Sequence, residues 1–203
     1  MTTSAGSDIV VGVFVGGRGA RMGGVAKGLL PAPGAQLTLI ERVLIELRAA
    51  APAARVVLVG DARAYTSLGL PSVEDAPPGI GPLGGLLGLL QHAERDRAGQ
   101  ALAVACDLPF VRRELLFRLL SEGGDAGAVV TETGGVRNPL VARYAVAQAL
   151  PIAREVLHTG ARSLQAVLDG LASATVRLVL SAAEQASLED WDTPEDVRSK
   201  RGA

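Results

Sequence analysis

Apolar positions along this chain come in short blocks that switch between the strand and the helix period. Residues 9–15, IVVGVFV, are an unbroken apolar run, the pattern of a strand covered on both faces. Leu39, Ile40, Val43, Leu44 and Leu47 then recur at helical spacing. Thr38 and Glu41 precede them as a capping box, so a helix is expected to about Ala50. Residues 55–59, RVVLV, read as a second strand. A loop or short helix is expected over 60–68, and a short strand over 70–75 that exits through Glu74 and Asp75. A Pro/Gly-rich turn at 76–81 leads to Pro82, which suits a first helical turn, and the helix continues through 86–97. Its glycines leave room for another backbone or a ligand. Residues 101–105 form a strand that exits into Cys106-Asp107-Leu108-Pro109, with a helix over 111–120. Strands are expected at 126–131 and 140–144 about a Gly134-Gly135 turn, and a helix at 145–157 broken or kinked at Pro151. A further helix within 160–171, a strand at 175–180, a loop or short strand at 188–192 and a final helix opening at Thr193-Pro194 complete the pattern.

Strands alternate with helices almost throughout, and no repeat, low-complexity block or long linker intervenes. This predicts a three-layer α/β/α, Rossmann-like domain with a mainly parallel, partly mixed sheet. One domain is expected over 1–203, with flexible ends at 1–8 and 198–203. Ligands of such sheets bind beyond the carboxyl ends of the strands. That rule gathers the loop after residue 15, Asp75 and Asp107, which are distant in sequence.

Composition narrows the classes. Of 203 residues, 48% are hydrophobic and only 3% aromatic, so the core is built of Leu, Val and Ala. A net charge of −1 argues against a general nucleic-acid binder. The single cysteine, Cys106, excludes an internal disulfide or a cysteine metal cluster. The first residues carry no basic n-region, and the longest apolar-leaning stretch, 79–90, is too short to span a bilayer, so a cytoplasmic, membrane-free protein is expected.

The candidate chemistry begins at residues 16–28, GGRGARMGGVAKG, where six of thirteen residues are glycine and Arg18, Arg21 and Lys27 carry the charge. Glycines let backbone N–H groups turn toward an anion, and the cations neutralise it. The chain has only two lysines, Lys27 and Lys200, and a compact ammonium suits phosphate oxygens. The bland alternative is a solvated loop that carries a lysine. The stretch is not a P-loop, because Gly28 follows Lys27, nor a dinucleotide fingerprint, because Met22 stands at the third glycine. Asp107, leaving an uncharged strand into Leu108-Pro109, could bring Mg²⁺ to a triphosphate or cap the next helix. Glu74-Asp75 could accept hydrogen bonds from a nucleotide or be a polar loop. His92 and His158 read as ordinary helix residues, and Cys106 as packing.

Phe14-Val15-Gly16-Gly17, a basic spacer and Arg21-Met22-Gly23-Gly24-Val25-Ala26-Lys27-Gly28 resemble the signature loop of the molybdenum cofactor guanylyltransferases, roughly Leu-Ala-Gly-Gly, then Arg-Met-Gly-Gly-x-Asp-Lys-Gly. Cys106-Asp107-Leu108-Pro109 matches that family's Cys-Asp-x-Pro, and Glu74-Asp75 before Gly81-Pro82-Leu83-Gly84-Gly85 its acid ahead of Gly-Pro-Leu. Arg137-Asn138-Pro139-Leu140, Thr159-Gly160-Ala161-Arg162-Ser163 and Asp190-Trp191-Asp192-Thr193-Pro194 are further, weaker matches. Val15 and Ala26 depart from the pattern, Ala26 standing where the family has aspartate.

The resemblance implies a nucleotidyltransferase fold and transfer of GMP from GTP to molybdopterin with release of pyrophosphate. It implies catalytic roles for Arg21, Lys27 and Asp107, and nucleotide binding by Phe14, Val15, Gly16, Gly17, Lys27, Asp75, Gly84 and Asp107. Mg²⁺ falls to Asp107, with Asp192 either a second ligand or a helix cap. GTP and molybdopterin are the implied substrates, with transient contact to proteins that deliver the pterin or receive the product. A sister enzyme using CTP or a sugar phosphate, and a non-catalytic nucleotide-binding relative, also fit these residues.

Overall fold

The computed structural model describes residues 8–16, 26–34 and 36–188. Seven strands among them form one sheet in the order β3-β2-β1-β4-β6-β5-β7. The strands are β1 Ile9–Phe14, β2 Arg55–Val59, β3 Ser72–Val73, β4 Gln100–Ala105, β5 Ala128–Thr133, β6 Val136–Ala145 and β7 Thr175–Arg177. The β1–β2, β1–β4, β2–β3 and β5–β7 pairs are parallel. Only β6 runs against its neighbours, β4 and β5. The expected mainly parallel, partly mixed sheet is found.

The helices are α1 Leu39–Ala50, α2 Pro82–Arg95, α3 Arg113–Ser121, α4 Val146–His158, α5 Leu164–Gly170 and α6 Ala182–Ser187. Two apolar clusters divide them between the faces. Val10 and Phe14 of β1 pack with α2, α4 and α5. Ile9, Val11 and Val13, pointing the other way, pack with α1 and α3. This is the period-2 alternation of a strand covered on both sides. Thr38 and Glu41 do form the capping box of α1. That helix buries Leu39, Ile40, Val43, Leu44 and Leu47, each contributing about 1.5–3 kcal/mol of apolar burial.

Several boundaries differ from the sequence reading. α4 runs unbroken through Pro151, which is exposed, so the carbonyl left without its N–H partner faces water. β5 and β6 reach right up to the Gly134-Gly135 turn, both glycines having positive φ. Asn138-Pro139 therefore lies inside β6 rather than ahead of it, at a register irregularity opposite Val130 and Thr131 where a missing N–H is tolerated. β7 stops at Arg177 rather than 180. α6, capped by Ser181 and Glu184, was not anticipated. The expected elements beyond residue 188 lie outside the described residues. No helix among the described residues is long and apolar enough to cross a membrane.

Candidate functional site

The carboxyl ends of β1, β2, β3 and β4 lie side by side, and their exits make the site. Val15 N and Gly16 N both donate to Val59 O, at 3.0 and 3.3 Å. The two exits touch there. Gly60 has φ +98°, and a Cβ on it would lie 2.9 Å from the Gly16 Cα. No side chain fits at Gly60, and the Gly16 amide is already engaged by β2. The Cys106 amide donates to Phe14 O at 3.2 Å, which ties the exit of β4 to β1 in the same way. Phe14 and Val15 are buried, so only their backbone reaches the site.

The chain returns at Ala26 into a short 3₁₀ turn, Lys27–Leu29, in which Leu29 N donates to Ala26 O at 2.9 Å. Lys27 Nζ lies 3.4 Å from Asp107 Oδ2, an ion pair joining residues 80 apart in sequence. Both side chains keep partial exposure, 23% and 17%. Asp107 is not the cap of the next helix. α3 starts at Arg113 with Arg112 at its N-cap, and the Arg113 amide donates to Glu46 Oε2 at 2.8 Å. Cys106 is buried, and burial, with the Asp107 charge beside it, pushes its thiol up to about 12, which leaves it inert.

Gly28 is wedged against α1 and Tyr65, and its buried amide donates to the Tyr65 hydroxyl at 3.1 Å. Burial pushes the Tyr65 pKa upward, so the phenol is neutral.

At the exit of β3 Glu74 is exposed and Asp75 half-buried. The Asp75 side chain lies against Gly84 through its Cβ and against Gly85 through Oδ1 at the start of α2, and burial raises its pKa. A Cβ on Gly84 would meet Pro77 O and Ile80 at 2.8 Å, so this glycine seats the 74–77 backbone on the helix. Among the α2 glycines, Gly84 and Gly88 are the ones that a neighbouring backbone approaches closely.

A cleft of about 530 Å³ opens between the exits of β2 and β3, lined by Gly60, Asp61, Arg63, Tyr65, Glu74 and Asp75 among others. Arg63 donates to Asp61 through Nε at 2.8 Å and Nη2 at 2.5 Å, and these bonds lower the carboxyl to about 2. Sequence reasoning gave Gly60 only as the opening of a loop and passed over Arg63 and Tyr65. A glycine directly after a strand was an available signal for the first; a lone tyrosine in a loop gives none.

Lys27, Asp107, Gly16 and Asp75 thus gather at one edge. Arg21, Gly17 and Asp192 lie outside the described residues. Arg137 is half-buried on β6 and pairs with Asp169 at 2.5 Å, while Ser163 caps α5. His92 pairs with Asp96 at 3.6 Å. Among the described residues no group of three or more His, Cys, Asp or Glu side chains forms a metal cluster.

A family model, the MobA-like NTP transferase domain, matches residues 11–176. The molybdenum cofactor guanylyltransferase of Serratia proteamaculans is 31% identical over 185 residues, spanning 91% of this chain and 89% of that one. The guanylyltransferase of the same name from Ralstonia nicotianae is 40% identical over 126 residues, spanning 60% of this chain and 58% of its own length. The crystal structure of molybdopterin-guanine dinucleotide biosynthesis protein A from Archaeoglobus fulgidus superposes with a TM-score of 0.72 at 25% identity, over 95% of this chain and 96% of that one.

Proposed function

The chain belongs to the MobA-like NTP transferase family, and on that premise we propose that it moves GMP from GTP to molybdopterin in molybdenum cofactor biosynthesis. The observation that carries the reading is the Lys27–Asp107 pair at the carboxyl edge of the sheet, 3.4 Å apart and partly open to solvent. A cation and a carboxylate held together there suit a triphosphate with its metal.

A terminal phosphate oxygen of the pterin attacks the α-phosphorus of GTP. The bond from that phosphorus to the bridging oxygen breaks, and pyrophosphate leaves with the electron pair. No covalent nucleophile on the protein is required, so positioning and charge neutralisation carry the step. Lys27, with Arg21 from the glycine loop, neutralises the phosphates. The bare backbone at Gly16 and Gly60 lets the nucleotide approach the sheet edge, and Asp75 accepts hydrogen bonds from base or ribose.

The residues fit a divalent ion. Mg²⁺ is held by one or two carboxylates and completes its shell with phosphate oxygens and water. Asp107, fixed on a turn and 17% exposed, is such a carboxylate, and Asp192 is the candidate second. Bound there, Mg²⁺ would offset the charge that builds on the leaving pyrophosphate.

The test is calorimetric titration of GTP, CTP, ATP and UTP, with and without Mg²⁺, on wild type and Asp107→Ala, followed by a GMP-transfer assay. The expected result is selective, Mg²⁺-dependent GTP binding that the variant loses, with transfer reduced about a thousandfold or more, equivalent to about 4 kcal/mol of barrier. A preference for CTP or UTP would move the chain to a sister activity. Substantial transfer by Asp107→Ala would remove Asp107 from the mechanism.

A further inference from the structure

The 3₁₀ turn that carries Lys27 lacks the usual device for holding its start. Ala26 stands at its N-cap and supplies no side-chain hydrogen bond. An aspartate, serine or asparagine there would accept an N–H of the first turn. The Gly28 amide nevertheless has a partner, because it donates to the Tyr65 hydroxyl at 3.1 Å from 37 residues away. The contact is tight. Tyr65 is 1% exposed, and a Cβ on Gly28 would lie 3.0 Å from both the Tyr65 ring and its hydroxyl. Tyr65 is buried in the same cluster as Cys106. It therefore joins the residue after Lys27 to the cluster that holds the residue before Asp107. Tyr65 is also among the residues that line the cleft between β2 and β3.

We propose that Tyr65 is a positioning residue: its hydroxyl replaces the cap missing at position 26 and holds Lys27 and Asp107 at their working separation. The proposal rests on the guanylyl-transfer reading for its kinetic readout, though not for its structural one. Loss of the hydroxyl leaves the Gly28 amide buried without an acceptor, and the turn must shift to rehydrate it. A shift of about 1 Å in a phosphate-binding group costs on the order of a hundredfold in rate when positioning carries the chemistry.

Tyr65→Phe keeps the ring and removes the hydroxyl. Ala26→Asp offers the Gly28 amide an acceptor from within the turn. We expect Tyr65→Phe to lower kcat about tenfold or more while KM for GTP moves less than about threefold. The double variant Ala26→Asp/Tyr65→Phe should recover at least about a third of the wild-type kcat, because the lost acceptor has been supplied locally. Thermal midpoints of all four proteins separate this from general stability. Wild-type kcat in Tyr65→Phe overturns the proposal. So does a double variant that regains its thermal midpoint but not its kcat. If the wild type itself transfers no GMP, the guanylyl reading fails, and the proposal is then decided by Mn²⁺ affinity from water-proton relaxation in the presence of GTP. Weakening by about threefold or more in Tyr65→Phe, restored by Ala26→Asp, sustains it, and unchanged affinity overturns it.

Discussion

Asp61 and Asp75 line one cleft, and their neighbours drive their acidities apart. Asp61 is pinned by Arg63 and falls to about 2, an exposed pair that adds little stability. Asp75 is raised by burial above its ordinary 3.8, so in the folded chain its charged form is the disfavoured one. The sign follows. A carboxyl whose folded value is raised favours the fold when protonated, and that advantage is lost as pH rises through 3.8 to the raised value. At neutral pH Asp75 is a cost to stability, consistent with a residue kept for ligand contact. Asp75→Asn should therefore raise the thermal midpoint at pH 7, lose that gain below about pH 4, and weaken GTP binding at every pH where Asp75 is charged. Melting curves at pH 3.5 and 7 with GTP titrations check this. A variant less stable than wild type at pH 7 would show that the carboxylate is held by favourable contacts instead. Gly60 gives a second test at this scale. Its φ of +98° and the Gly16 backbone 2.9 Å from a would-be Cβ make Gly60→Ala costly. About 1–3 kcal/mol of lost stability is expected from denaturant unfolding.

Among the elements, α2 shows how packing reverses an ordinary preference. Glycine to alanine inside a helix is normally worth about 1 kcal/mol of stability. At Gly88 the new methyl would run into Glu74 O, and at Gly84 into Pro77 O. Gly88→Ala should instead destabilise by about 1–3 kcal/mol and weaken nucleotide binding, because the strand exit it displaces carries Asp75. Urea unfolding and GTP titration check both parts, and a stabilised variant would show that the 74–77 segment yields freely. The sequence allowed either a backbone or a ligand against these glycines, since one missing side chain serves both, and only the tertiary path of residues 74–77 decides. Periodicity and caps made β1, β2, β4, α1 and α4 legible. They did not place the ends of β6, because Asn138-Pro139 reads locally as a strand breaker, and the irregularity that accommodates it, three extra β6 residues between the partners of Val130 and Thr131, shows only in the pairing with β5. α6 had the signal, Ser181 with Glu184, the same box that marked α1, but it lacks a long apolar stripe behind it.

At the scale of the whole molecule, the sheet order converts distance in sequence into proximity. β1, β2, β3 and β4 are contiguous and parallel, so exits separated by whole helices open on one edge. Alternation of strand and helix made that edge legible, and with it the meeting of Lys27 and Asp107. What joins them through the core was not legible, because the Gly28–Tyr65 contact follows from how α1 and the 63–68 turn pack rather than from any local pattern. A site assembled from four exits should be bound together by its ligand. A ligand at one hundred times its dissociation constant stabilises the fold by about 2.7 kcal/mol. For a chain of 203 residues that is a rise of about 5–10 °C in melting temperature. GTP with Mg²⁺ should give this rise and CTP with Mg²⁺ should not, while Asp107→Ala should keep only the part that GTP gives without the metal. Calorimetric melting across these conditions checks it. Equal shifts with all four nucleotides would show that the edge grips the triphosphate alone and that base selection lies outside the β2–β3 cleft.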